Sequence, residues 1–154
     1  MRIRLAIVAA VGLLSGCGGT PPPDEATSRA LVRQVVLDWH RDLAAGDGEA
    51  GCALLTEAQQ DQMVDFDRNL AKTIGTDGAD TCADAVSKTG EISESGKQVL
   101  LNTQVDSVAI HGDHATVVVH SSAVLGGIAR PVGAVDIPLR WEDGRWLIDK
   151  QSSD

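Results

Sequence analysis

Hydrophobic residues change their period once along this chain, and that change divides the fold into two parts. From about Thr27 to Ala45, the residues Val32, Val35, Val36, Trp39 and Leu43 fall on one helical stripe. Asp24 and Glu25 stand near the positive end of that helix's dipole, and Gly46 is available as its stop. A short second helix is expected from Asp47 or Gly48 through Leu55, carrying Cys52. A third begins with Thr56 as cap and Gln59 three residues later, a capping-box pattern, with Met63, Phe66 and Leu70 on its inward face. Gly75 to Gly78 breaks the pattern, after which Asp80 can cap another short helix that holds Cys82 and Val86 and ends near Gly90.

After Gly96 the apolar residues alternate. Residues 97–111 contain Val99, Leu101, Val105, Val108 and Ile110 and read as a long strand, with a bulge where the apolar phase switches between Val105 and Val108. Gly112-Asp113 supplies a tight turn. The returning strand from His114 places Ala115, Val117 and Val119 on one face and Thr116, Val118 and His120 on the other. A loop at Gly126-Gly127 leads to a strand from about Ala129 to Trp141, with Val135, Ile137, Leu139 and Trp141 inward. Asp143-Gly144 is a strong hairpin turn into a last strand with Trp146 and Ile148. Helices first and an antiparallel meander of about four strands afterwards define an α+β domain. No internal repeat and no transmembrane helix is visible.

The N-terminus carries an address. Arg2 and Arg4 precede a hydrophobic run from Leu5 to Leu14, and Leu14-Ser15-Gly16-Cys17 resembles the lipobox of a bacterial lipoprotein signal. The apolar stretch is too short to span a bilayer as a stable helix. The resemblance implies that residues 1–16 are removed and that Cys17 becomes the first residue, with a thioether-linked diacylglyceryl group. A further acyl chain such as palmitate can follow on its amine, and two chains anchor stably where one does not. The expected location is the outer face of the cytoplasmic membrane. Residues 17–26, which include Gly18, Gly19 and three consecutive prolines, then form a tether able to lift the domain of residues 27–154 one or two nanometres above the headgroups, at about 3 Å per residue.

Processing sharpens both the charge and the thiol count. Without Arg2 and Arg4, 11 of the 13 Lys and Arg residues remain against 22 Asp and Glu. Such acidity argues against nucleic acid and against a polybasic membrane clamp, and suits an exported surface domain. With Cys17 lipidated, Cys52 and Cys82 are left outside the cytoplasm, where an even remainder of two permits one intramolecular disulfide. A redox-active cysteine would want CxxC or a nearby base, and half a metal site would want close ligand spacing. Neither signature is present.

The segments Val105-Asp-Ser-Val-Ala-Ile-His-Gly-Asp-His-Ala-Thr-Val and Pro138-Leu-Arg-Trp-Glu-Asp-Gly-Arg-Trp-Leu-Ile-Asp149 look like the closing sheet of small extracytoplasmic lipoproteins of the actinobacterial, high-GC Gram-positive type. Those domains resemble the nuclear transport factor two-like, cystatin-like fold. The resemblance implies a long N-terminal helix and two shorter ones packed across a strongly curved antiparallel sheet, forming a cone with an internal pocket. The fold hosts isomerases, dehydratases, transport adaptors and domains without chemistry, so it implies no function by itself.

Catalytic members of that superfamily place carboxylates, histidines and tyrosines inside the cone, and this chain has no tyrosine. Asp38, His40 and Asp42 on the first helix and Asp136 on the third strand remain as candidates. His40, one residue beyond Trp39, can reach the cone's mouth as a general base or can cap the core's edge. Asp136 alternates with Val135 and Ile137 and is expected to face away from the pocket. His111, His114 and His120 invite a metal reading through the HxxH spacing around the turn. However, His120 lies about 20 Å along the strand from His114, and only Asp113 could serve as a third ligand, so an exposed turn is preferred. Trp39, Trp141 and Trp146 are expected to pack in the core, with Trp39 and His40 the residues placed to line a pocket.

The leading expectation is therefore a membrane-anchored, non-catalytic domain with no metal or cofactor. It would bind a protein, a small apolar ligand or an envelope component. The alternative is a pocket enzyme of the same fold that uses His40 and an aspartate for acid–base chemistry.

Overall fold

A computed structural model of the chain describes residues 20–125 and 128–150. Cys17, the expected signal before it and the expected loop at Gly126-Gly127 lie outside the described residues. The elements are α1 (Glu25–Ala45), α2 (Gly48–Ala53), α3 (Glu57–Ile74), α4 (Cys82–Thr89), α5 (Glu94–Leu101), β1 (Gln104–His111), β2 (His114–Leu125), β3 (Ile128–Glu142) and β4 (Arg145–Ile148). The strands form one antiparallel sheet in the order β1-β2-β3-β4, so the fold is α+β with the helices leading and a meander closing. Among the described residues no helix is long and apolar enough to cross a membrane.

The stripe on α1 is the centre of the core. Val32 and Val36 are fully buried, with Trp39 and Leu43 almost so, and they pack with Val108, Val117, Leu139, Trp146 and Ile148 from the sheet. The helix begins at Glu25, earlier than Thr27, because the Asp24 carboxylate accepts hydrogen bonds from the backbone N–H and the hydroxyl of Thr27. Gly46, in the left-handed conformation with φ 69°, ends it.

The sheet bends at two irregularities in strand register. One lies between Val105 and Ser107, where the apolar phase switches, and the other at Ser121/Ser122 opposite Gly133 and Pro131. Asp143 and Gly144 turn β3 into β4 with φ of 50° and 79°, the paired positive values that an Asp-Gly hairpin supplies. Both sheet edges are occupied. Residues 54–56 run beside β4, with Ile148 N–H donating to the Leu54 carbonyl at 2.8 Å and Thr56 N–H to the Ile148 carbonyl at 2.9 Å. On β1, the Arg29 guanidinium donates to the Val108 carbonyl at 2.6 Å and that of Arg33 to the Val105 carbonyl at 3.3 Å.

Several sequence expectations are corrected. Residues 97–101 are helical, not the start of β1. The Ser93 hydroxyl caps α5 by accepting from Gly96 N–H, and the helix turns Leu100 onto the core while Leu101 is exposed. Thr81, not Asp80, caps α4, accepting from Asp84 N–H at 3.1 Å. Phe66 and Leu70 on α3 are exposed at 66% and 47%, and Val135 on β3 at 53%. α3 turns Ala71 fully inward and half-buries Met63 and Val64, so Phe66, Leu70 and Ile74 form a separate row at i, i+4 and i+8 that faces outward.

Cys52 on α2 is disulfide-bonded to Cys82 on α4, 30 residues later. The two helices meet closely at Gly48, where any Cβ would collide with the Ala83 carbonyl oxygen. Closing a loop of this length stabilises the fold by roughly 3 to 4 kcal/mol on the chain-entropy account. The Cys52→Ser, Cys82→Ser double variant is expected to unfold in urea with a free energy lower by about that amount. An unchanged midpoint would contradict this assignment.

Candidate functional site

Two concavities share one wall, the indole of Trp39. The first is a cleft of about 300 Å³ between α1, the start of α3 and β3, lined by Trp39, His40, Gln59, Gln62, residues 135–138, Ile148 and Asp149. It exists because β4 is short. β4 pairs only with Leu139–Glu142, so the cleft follows the side of β3 beyond that pairing, and Asp136 borders it although strand alternation alone placed it on the far face.

His40 is half-buried here. Its Nδ1 lies 2.8 Å from the Val36 carbonyl oxygen, which can only accept, so Nδ1 carries the proton and Nε2 is the ring's acceptor atom. Burial holds its pKa below the ordinary 6.5, against the smaller opposing effect of the Val36 hydrogen bond. A neutral imidazole with one nitrogen committed is competent to accept a proton from a molecule in the cleft. The carboxylates are less available. Asp149 accepts from the Thr56 hydroxyl at 2.9 Å and pairs with Arg140 at 3.0 Å. Asp38 pairs with Arg41 at 2.7 Å and accepts from the Gln34 amide at 2.7 Å. The pKa of Asp42 is raised by desolvation, partly countered by Arg41 at 3.5 Å.

The second concavity is a groove of about 430 Å³ between α1, α3 and α4. Its walls are Trp39, Leu43, Met63, Phe66, Leu70 and Ile92, with Ala85, Thr89 and the pair Asp67 and Lys88. Those two charges lie 3.5 Å apart, and the Lys88 ammonium also donates to the Asp77 carbonyl at 2.8 Å. The wall is thus apolar with its charges internally matched. This groove was not foreseen, because Phe66 and Leu70 read as core. The available signal was the third member of their row, Ile74, with no matching apolar row left on another helix to cover it.

The other tryptophans lie outside both concavities. Trp146 is buried, and Trp141 meets it edge-to-face with ring centroids 5.5 Å apart. His111 and His114 stand opposite each other across the turn, but His114 is held by Asp113 at 2.8 Å and His120 by Asp106 at 2.6 Å. Among the described residues no group of three or more His, Cys, Asp or Glu side chains is placed to hold a metal ion.

Comparison with known proteins returns similarity of fold only. No family model matches the chain, and no curated protein does. Among solved structures the chain is similar to a protein of Campylobacter jejuni described as NTF2-like, with transpeptidase a provisional assignment of that protein. The identity is 14%, over 78% of this chain and 98% of that one, with a TM-score of 0.47. It is also similar to an NTF2-like protein with a cystatin-like fold from Novosphingobium aromaticivorans, at 16% identity over 77% of this chain and 75% of that one, with a TM-score of 0.46. Any functional reading therefore has to come from the two concavities themselves.

The lowered pKa of His40 has a definite sign. Between its folded value and 6.5 the unfolded chain binds more protons at this residue, so stability rises with pH through that window. The contribution is full above about pH 6.5 and lost as pH falls through the folded value. NMR titration should place the His40 ring below 6.5, and His40→Gln should flatten the stability profile just below about pH 6.5. A ring that titrates at or above 6.5 would contradict the burial argument.

Proposed function

We propose that this chain is a lipid-anchored extracytoplasmic binding domain that takes a small, uncharged apolar molecule into the groove between α1, α3 and α4. The lipobox supports the anchor. The observation that carries the binding reading is the exposure of Phe66 at 66% and Leu70 at 47% against a Trp39 and Leu43 floor, in a groove of about 430 Å³. Open apolar side chains are costly to leave in water, and a concavity of 300 to 1,000 Å³ lined this way is the size of a small-molecule site. Both charged groups in its wall are paired, which favours a ligand without charge. A protein partner fits less well, because a stable interface needs about 1,000 Å² or more and the apolar row is narrow.

The alternative, a pocket enzyme using His40 with Asp136, is favoured by the neutral ring alone. Against it, Nδ1 of His40 is held by a backbone carbonyl and not by a carboxylate, and Asp149 is already committed to Thr56 and Arg140.

The test uses N-phenylnaphthylamine, a neutral apolar fluorophore that brightens on leaving water. Titration is expected to show saturable binding to the mature protein. Phe66→Ser, a change at an exposed site that leaves the core intact, should weaken it about tenfold, the equivalent of some 1.4 kcal/mol. Equal affinity in the variant would sink the groove as the site.

A further inference from the structure

The chain is tied to one end of the domain from its first described residue. The Thr20 carbonyl accepts a hydrogen bond from the Trp141 indole N–H at 2.6 Å. Trp141 in turn donates its backbone N–H to the Asp113 carbonyl at 2.7 Å, joining the end of β3 to the β1–β2 turn. Between Thr20 and the helix, Pro21 to Pro23 restrict φ, and the Ser28 hydroxyl donates to the Pro23 carbonyl at 3.1 Å. The segment thus lies against the end of the domain that carries the turns Gly112-Asp113 and Asp143-Gly144 and the N-terminus of α1.

This contact shortens the tether. Only Gly18 and Gly19 stand between Cys17 and Thr20 in the sequence. Three residue steps reach about 11 Å at full extension. We infer that the turn end of the domain, centred on Trp141, faces the lipid headgroups, and that the apolar groove opens away from them. The inference rests on the lipidation of Cys17 proposed above. Along α1, Trp39 and Leu43 are 14 and 18 residues from Glu25, about 21 and 27 Å at the helical rise. With Thr20 held on Trp141, a leash of about 11 Å keeps the turn end within that distance of the headgroups, and a domain standing on that end carries the groove about 20 Å or more above them. The exposed turn residues Asp113, Asp143 and Arg145 mix both signs, so the leash and not a basic patch sets the orientation. The consequence is that a ligand enters the groove from the aqueous side of the envelope and not laterally from the bilayer.

The experiment places the mature lipidated protein in nanodiscs of phosphatidylcholine and phosphatidylglycerol that contain a lipid with a gadolinium-chelating headgroup. Amide relaxation is then read by NMR. Enhancement is expected to be several-fold greater at Gly112–His114 and Asp143–Arg145 than at Phe66, Leu70 and Ile92. Equal enhancement, or a maximum at α3 and α4, overturns the orientation. Mass analysis of the N-terminal peptide from the same sample separates the two readings, since an unmodified Cys17 overturns the lipidation itself. Inserting about ten Gly and Ser residues between Gly19 and Thr20 keeps the Trp141 contact and lengthens the leash by a coil of roughly 17 Å. The contrast should then collapse. If it persists, the short leash is not its cause and does not set the orientation. Trp141→Phe, which removes the N–H donor and keeps an aromatic ring, should reduce the contrast in the same direction.

Discussion

The close approach of α2 and α4 is the constraint on which the functional geometry depends. Gly48 lets the α2 backbone meet the carbonyl of Ala83, and the disulfide from Cys52 to Cys82 fixes the two helices there. Gly51 on α2 and Val86 on α4 then close on Trp39 from α1, which brings three helices to one indole. α4 therefore stands as a rigid wall opposite α3, and Ala85, Lys88 and Thr89 on it are groove residues. With a larger residue at position 48, α4 would have to move outward, and the floor formed by Trp39 and Leu43 would lose its opposite side.

That constraint explains how much of the fold was legible. The α1 stripe, the meander, the Asp-Gly hairpin and the bulge near Val105 are local patterns, each set by a period or a turn residue, and they stand in the structure where the pattern puts them. The cysteine pair was legible through arithmetic. α5 was not, because Val99 and Leu101 alternate as a strand would, Gly96 disfavours a helix, and only the Ser93 cap and Glu94 in the first turn speak for one. In such a short segment, capping and tertiary packing outweigh periodicity.

The candidate sites were less legible for a related reason. Helical spacing shows that Met63, Phe66 and Leu70 share a side of α3 but not whether another element covers them. α4 presents Ala85 where a larger residue would have filled the gap, so the row stays open. Likewise, strand alternation assigns Asp136 a face, but only the short reach of β4 reveals that a cleft runs beside it. The bond from Trp141 to Thr20 joins residues 121 apart and left no trace in local pattern.

The two concavities that Trp39 lines make opposite chemical offers. The cleft presents a neutral histidine among amides and a carboxylate already paired with arginine, while the groove presents apolar surface with its charges matched. The most direct test of the binding account is chemical-shift mapping of the isotope-labelled mature protein during titration with N-phenylnaphthylamine. The account requires saturable shifts centred on Phe66, Leu70, Ile92 and the Trp39 indole, with Gln59, Gln62 and Ile137 little changed. Shifts centred on the His40 cleft, or none that saturate, would contradict it.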